Sequence, residues 1–404
     1  MARLLLITAI LSWSLTAPAR ASLSLQEVLA SAREHAPKLL EQQAALRSAD
    51  GAVISAEGAF DTNLSVEFRS RATGSWSGSY LKADAEKALT EDGIKLYGGY
   101  RVSDGRFPIY EDQYFTNSLG EFKLGALVPL LQNRAFDKNR FALADARLKQ
   151  EQERIKALIS AIEVQRDAAI AYWEWVVAGQ QTEVYEHLLA IAKKRDLALS
   201  RQVEEGAMAD IAQLENQQNI TRRQTLVMNA RQKFLLSANK LSLYYRTQTG
   251  NPKRPDKSLL PDLSTVFAGM DGPDIEARPV EAVTSERPEI ADLDVALERA
   301  RQKLRLGENR MKPQLTLSGE ISRDFGSVGA GGSSRDSTDA IVGVRFSIPL
   351  GQKAARGSIR SAKAELERLS FQRQQLMERF AVELENLLLG VEMAQQRLML
   401  TRTN

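Results

Sequence analysis

Two periodicities take turns along this chain. From Ser24 to Glu57, the apolar residues Leu25, Val28, Leu29, Leu39, Leu40 and Ala44 recur at spacings of three and four, which is one face of a helix. Pro37 interrupts that pattern and predicts a kink or a fresh helix start. The period then changes to two. Leu64, Val66 and Phe68 alternate with Asn63, Ser65, Glu67 and Arg69, and Phe122, Leu124, Ala126 and Val128 alternate with Glu121, Lys123, Gly125 and Leu127. The pattern returns at Leu315, Leu317 and Ile321, and again at Ala340, Val342, Val344, Phe346 and Ile348. Each run has one apolar and one polar face over about ten residues, the length and dyad of a transmembrane β-strand. A half-buried strand of a soluble sheet has the same periodicity.

Between these runs the helical pattern becomes very long. Phe136 to Val203 contains no proline, and Ile155, Ile162, Ala169 and Val176 recur every seven residues. Ile220, Val227, Phe234 and Leu241 repeat that spacing on the next segment. Period seven over several turns argues for coiled-coil packing, and a helix of this extent would be roughly 100 Å long. Glu205-Gly206-Ala207 is the one good turn signal between the two segments. It predicts an antiparallel hairpin with its tip near residues 203–210.

The pattern also repeats at long range. The stretch from Pro37 aligns without a gap on the stretch from Pro288, an offset of 251 residues, and Val128-Pro129-Leu130 aligns on Ile348-Pro349-Leu350, an offset of 220. The expected organisation is therefore an internal duplication. A first repeat covers 22–250, with strands at about 60–130 and the hairpin. A second covers 287–404, with strands at about 313–350 and a long helix from about Ala354. The offsets differ by 31 residues, so the first half carries an insert. Within it Leu81, Ala83 and Ala85 alternate with Lys82, Asp84 and Glu86, and Ile94, Leu96 and Tyr100 follow an Asp92-Gly93 turn. This predicts an extra hairpin near 79–102, and periodicity leaves open whether it adds barrel strands or lies outside the membrane. Five of the twelve prolines fall in 251–286, which is the expected connector between the halves.

Composition narrows the compartment. Arg3, the apolar run Leu4–Leu15 and the small-x-small site Ala19-Arg20-Ala21 predict a secretory signal peptide over 1–21. There is no cysteine, hence no disulfide and no thiolate metal site. A net charge of +3 on 404 residues gives no basis for nucleic-acid binding. Aromatics are 6% and charged residues 26%, a balance that suits long solvated helices.

With the signal peptide, the paired repeat starts at Pro37 and Pro288, Arg287-Pro288-Glu289-Ile290, Glu308-Asn309-Arg310 leading into Pro313-Gln314-Leu315, and the two strand ends that run into helices, the chain resembles the TolC family of outer-membrane efflux proteins. The resemblance implies a mainly α fold with β: long antiparallel coiled-coil helices in the periplasm, and transmembrane β-strands contributed to a barrel shared by a homotrimer in outer-membrane lipid of a Gram-negative bacterium. It implies a periplasmic adaptor (membrane fusion) protein and an inner-membrane transporter as partners, and no cofactor. By the same analogy, adaptor contact and gating would fall at the hairpin tip, on Gly206, Met208 and Asp210. The family aspartate often lies six residues past the glycine, where this chain has Ala212. For Asp210 the alternative is a plain role in favouring the start of the returning helix.

The second offset carries the tip to position 426, past Asn404. The second hairpin is thus expected to lack its return segment, as in a truncated product, a fragment or a divergent relative, which puts a closed iris in doubt. Catalytic signatures are lacking. His35 and His187 are the only histidines, and there is no GxxxxGK[ST], GxSxG or HExxH run. The glycine-rich Gly326–Gly332 segment lacks the lysine of a phosphate cradle and reads as a surface loop. Trp173 and Trp175, beside Tyr172, are expected to pack between helices. The sequence favours a passive export duct of a tripartite efflux or type I secretion system, and not an enzyme. The alternatives are a structural or interaction periplasmic coiled-coil protein, or a truncated non-functional channel relative.

Overall fold

The computed structural model describes residues 22–262, 280–329 and 336–402. The expected signal peptide, residues 263–279 of the proline-rich connector and 330–335 of the glycine-rich loop lie outside the described residues. Over these residues the chain is mainly helical with one sheet, and it divides into two compact units, one holding 22–42 with 159–262 and one holding 43–158 with the described residues from 280 onward.

In the first unit the helix break comes where Pro37 predicts it. Helix α1 (Leu25–His35) ends at Ala36, and α2 (Pro37–Glu57) starts on the proline, whose missing N–H costs nothing at a first helical position. A capping box between Ser24 and Glu27 opens α1. The long segment is α3 (Lys138–Glu204), and it returns as α4 (Asp210–Leu241). Gly206 turns the chain at φ +73°. The Gly206 N–H donates to Val203 O at 3.0 Å, and the Ala207 N–H donates to Gln202 O at 2.8 Å. That pair of bonds is the Schellman closure of a helix end, which needs a left-handed residue and so a glycine.

Rungs descending the hairpin fix its antiparallel sense. Asn216 of α4 donates to the Ala192 carbonyl and to Asp196 of α3, Arg231 meets Glu186, and Lys240 meets Glu174. Trp175 is fully buried between the helices, stacked on Phe234 at 6.3 Å, with Val28, Ala168, Tyr172 and Leu241 in the same core. Tyr172 Oη donates to the Leu23 carbonyl at 2.9 Å, and burial pushes its phenol above the usual range. The expected heptad on α4 is the buried one, through Val227, Phe234 and Leu241. On α3 a second heptad, Ile170, Val177, Val184 and Ile191, stays exposed.

Glu186 is the electrostatic clamp of this unit. Lys257 donates to it at 2.9 Å and Arg231 approaches to 2.7 Å. The Lys257 bond first, and then the Arg231 bond, hold its carboxyl below the ordinary value of 4.5. A depressed carboxylate stabilises the fold above its unfolded pKa and loses that contribution as pH falls through the folded one. Thermal melts followed by circular dichroism are expected to fall in temperature as pH drops below about 4.5. Glu186→Gln should flatten that part of the slope, and an unchanged slope would remove Glu186 from the account.

The second unit holds the sheet. Its strands are β1 (Thr62–Ser70), β2 (Ser79–Ala88), β3 (Lys95–Asp104), β4 (Glu121–Pro129), β5 (Gln314–Asp324) and β6 (Thr338–Ser347), all antiparallel in the order β1-β2-β3-β4-β5-β6. The extra hairpin that the sequence left unplaced is β2–β3, and it sits inside the sheet. Helix α5 (Val280–Ser285) leads into α6 (Pro288–Met311), and α7 (Lys353–Arg402) follows β6. Helices α6 and α7 pack antiparallel through Leu297, Ala300 and Leu369, with Arg373 on Asp294 at one level and the Arg287 guanidinium over the Phe380 ring at another. Arg299 of α6 grips Asp145 with two bonds of 2.8 and 3.0 Å and donates to Gln152 at 2.9 Å.

Candidate functional site

Register decides what the sheet is. Pairing sets Leu64 opposite Ala85, Ala85 opposite Gly98, Gly98 opposite Leu124, Leu124 opposite Ile321 and Ile321 opposite Ala340. Side chains in one cross-strand row share a face. The apolar half of every strand therefore merges into one face across all six. That face carries Val66 and Phe68, Leu81, Leu96, Phe122, Leu317, Val342, Val344 and Phe346, and it lies open: Val342 is 77% and Val344 68% exposed. An apolar surface of this extent is rare on a monomeric soluble protein and marks a face that meets lipid or another protein. Strands of 9–11 residues match the span of a bilayer by tilted β-structure.

The opposite face is polar and most of its charges have a partner. Lys82 lies 2.6 Å from Asp84, Lys95 lies 2.9 Å from Glu86, and Arg101 meets Glu121. Tyr97, Gly125 and Glu320 form one row on three strands. The Tyr97 ring crosses Gly125, where a Cβ would come within 2.4 Å of it, and its hydroxyl donates to Glu320 at 2.9 Å. Lys123 sits 5.9 Å above the same ring. Ala88, Leu127, Pro129 and Ile341 are the apolar exceptions on this face. A wall that is apolar on one side and carries balanced, hydrogen-bonded charge on the other is suited to stand between lipid and water.

Among the described residues the sheet has two unpaired edges, β1 and β6. At one end of the sheet its strands join α2, α3, α6 and α7. The Asn309 side chain secures a corner there. Its Oδ1 accepts from the Asn133 N–H at 3.2 Å and its Nδ2 donates to Asn133 Oδ1 at 3.1 Å, holding Asn133 at φ +67° just past β4. This gives a physical role to an asparagine that the sequence marked only by resemblance.

The tip residues are elsewhere, in the first unit. Gly206 forms the turn, Met208 is exposed, and Asp210 is the first residue of α4, exposed as well. Asp210 is not the N-cap: Ala209 is, without a side-chain cap, so the carboxylate favours the helix start through the helix dipole alone. His35 and His187 stand on α1 and α3, and among the described residues no group of three metal-ligating side chains occurs. Among those residues no helix is long and apolar enough to cross a membrane, a statement about helices and not about strands.

A family model described as outer membrane efflux protein matches residues 280–404. No curated protein sequence matches the chain. Among solved structures, the outer membrane protein VceC of Vibrio cholerae covers 94% of this chain and is itself covered to 81%, at 16% identity and a TM-score of 0.58. The CmeC outer membrane channel of Campylobacter jejuni covers 98%, is covered to 83%, and gives 13% identity and a TM-score of 0.53. The open state of the MtrE outer membrane channel of Neisseria gonorrhoeae covers 89%, is covered to 71%, and gives 13% identity and a TM-score of 0.55. At such identities the likeness speaks for the fold. In sequence over residues 280–404 and in fold over nearly its whole length, this chain is similar to the outer-membrane efflux channels of the TolC family.

Proposed function

We propose that the chain is one subunit of a passive export duct through the outer membrane of a Gram-negative bacterium, with its helices in the periplasm. The observation that carries this reading is the six-strand sheet with one exposed apolar face, one charge-paired face and two unpaired edges. Open edges are not tolerated in hydrocarbon, and transmembrane barrels have about eight strands or more. Copies of the chain must then pool their sheets. Because β1 and β6 run in opposite directions, the β6 edge of one copy meets the β1 edge of the next as an antiparallel pair. The family resemblance supports three copies. The exposed heptad Ile170, Val177, Val184 and Ile191 of α3 supplies an apolar seam for a neighbouring copy.

In this reading a periplasmic adaptor protein engages the hairpin tip, at Gly206, Met208 and Asp210, and an inner-membrane transporter drives cargo into the duct. The chain itself needs no catalytic group and no cofactor. The test is outer-membrane fractionation joined to planar-bilayer recording. The chain is expected to stay in the membrane after carbonate washing and to give unitary conductance steps when purified. Release by carbonate with no conductance would leave a periplasmic coiled-coil role in its place.

A further inference from the structure

The inserted hairpin has a companion. Strand β3 does not turn directly into β4: residues 105–120 intervene, at the end of the sheet away from the helices, and they include a short 3₁₀ segment, Ile109–Tyr114. Strand alternation places Arg71, Tyr80, Arg101 and Ser103 on the polar face at that end. Each is held by the connection. Arg71 donates to both oxygens of Glu111 at 2.8 Å. The Tyr80 ring stacks on Tyr114 at 4.8 Å and 15°, and the Arg101 guanidinium lies 5.9 Å from the same Tyr114 ring. Ser103 and Thr116 exchange backbone-to-hydroxyl bonds of 3.0 and 2.9 Å.

The connection is also anchored underneath. Phe107 lies on Gly78, where a Cβ would fall 2.6 Å from the ring, so only glycine leaves room for it. Asn117 is buried; its N–H donates to Asp324 and its Nδ2 to Asp336, both at 3.0 Å. These bonds describe a folded segment lying across the polar face, not a solvated excursion beyond the strand ends.

We propose that residues 105–120 form an inward-folded constriction at the outer mouth of the duct, with Tyr114 and Glu111 as the positions that set the upper size of the cargo. The proposal rests on the export-duct reading, in which the polar face becomes the lumen. Two parts of the insert then work against each other. With β2 and β3 in the sheet, three copies contribute eighteen strands; with only β1, β4, β5 and β6 they would contribute twelve. Barrel diameter grows roughly linearly with strand number, so the hairpin widens the pore by about half. The connection behind it closes part of that width at the exit.

The experiment uses the purified full chain in planar bilayers, with 106–118 replaced by a short glycine–serine link. The limiting cross-section should pass from the connection to the strands, and unitary conductance should rise by about twofold or more. Larger neutral polymers should then enter the pore. A second arm leaves the fold intact. The chain has no cysteine, so Tyr114→Cys introduces a single thiol, and the cysteine-free parent controls for the reagent. A bulky maleimide polymer is expected to reduce the Tyr114→Cys current in steps. An unchanged conductance in the linked variant, or full current through a channel shown by mass to be labelled, overturns the proposal while the duct reading stands. A parent chain that forms no channel at all removes the duct reading and this proposal together.

Discussion

Val344→Lys should eliminate the protein from the outer membrane. Val344 lies mid-strand on β6, opposite Leu317, on the exposed apolar face. A lysine facing lipid near the bilayer midplane of a β-barrel costs about 2–4 kcal/mol. If three copies assemble as proposed, the cost is repeated at each, roughly 6–12 kcal/mol in all, which is comparable to the whole stability of a domain. Ser65→Lys is the matched control, mid-strand on β1 but on the polar face. It should assemble at near parental levels. Quantitative immunoblots of outer-membrane fractions read both. Equal tolerance of the two lysines would mean that the apolar face does not meet lipid.

Trp175→Ala should produce the largest loss in the helical unit, about 3–5 kcal/mol, as a large buried aromatic gives way to a cavity. Trp175 is fully buried against Phe234 and Tyr172, and among the described residues its indole N–H has no hydrogen-bond partner. That orphaned donor separates volume from polarity. Trp175→Phe also removes the unsatisfied N–H, whose burial is itself costly, so it should destabilise by only a fraction of the alanine effect. Thermal unfolding in detergent, followed by circular dichroism, compares the three. If phenylalanine proved as damaging as alanine, the indole N–H would have to be contributing a bond.

Much of this architecture is legible in the residues because it is local. Alternation marks β1, β4, β5 and β6 within a residue or two of their bounds, Pro37 marks the α1–α2 break, and Gly206 marks the hairpin turn. The burial of Trp175 has a local cause too: the helical period puts it on the packed face with Val176. What stays hidden depends on partners far away in sequence. Alternation shows that β2 and β3 are strands, but not that they lie between β1 and β4. That follows from pairings such as Leu81 with Val102 and Gly98 with Leu124. The connection 105–120 has no period at all. Its one hint is the aromatic run Tyr110, Tyr114 and Phe115 just ahead of a strand, and its meaning depends on Arg71, Tyr80 and Arg101, which no spacing rule joins to it. Asn309 is similar, since its task is to brace Asn133, 176 residues earlier.

The opposed directions of β1 and β6 have a consequence for counting. An even-stranded sheet with antiparallel neighbours offers every added copy the same joint, so a ring of two, three or four would satisfy its hydrogen bonds equally well. The wall is indifferent to stoichiometry. Whatever enforces a particular number must reside in the helices, and exchanging that portion between relatives should change how many subunits close the circle without altering a strand.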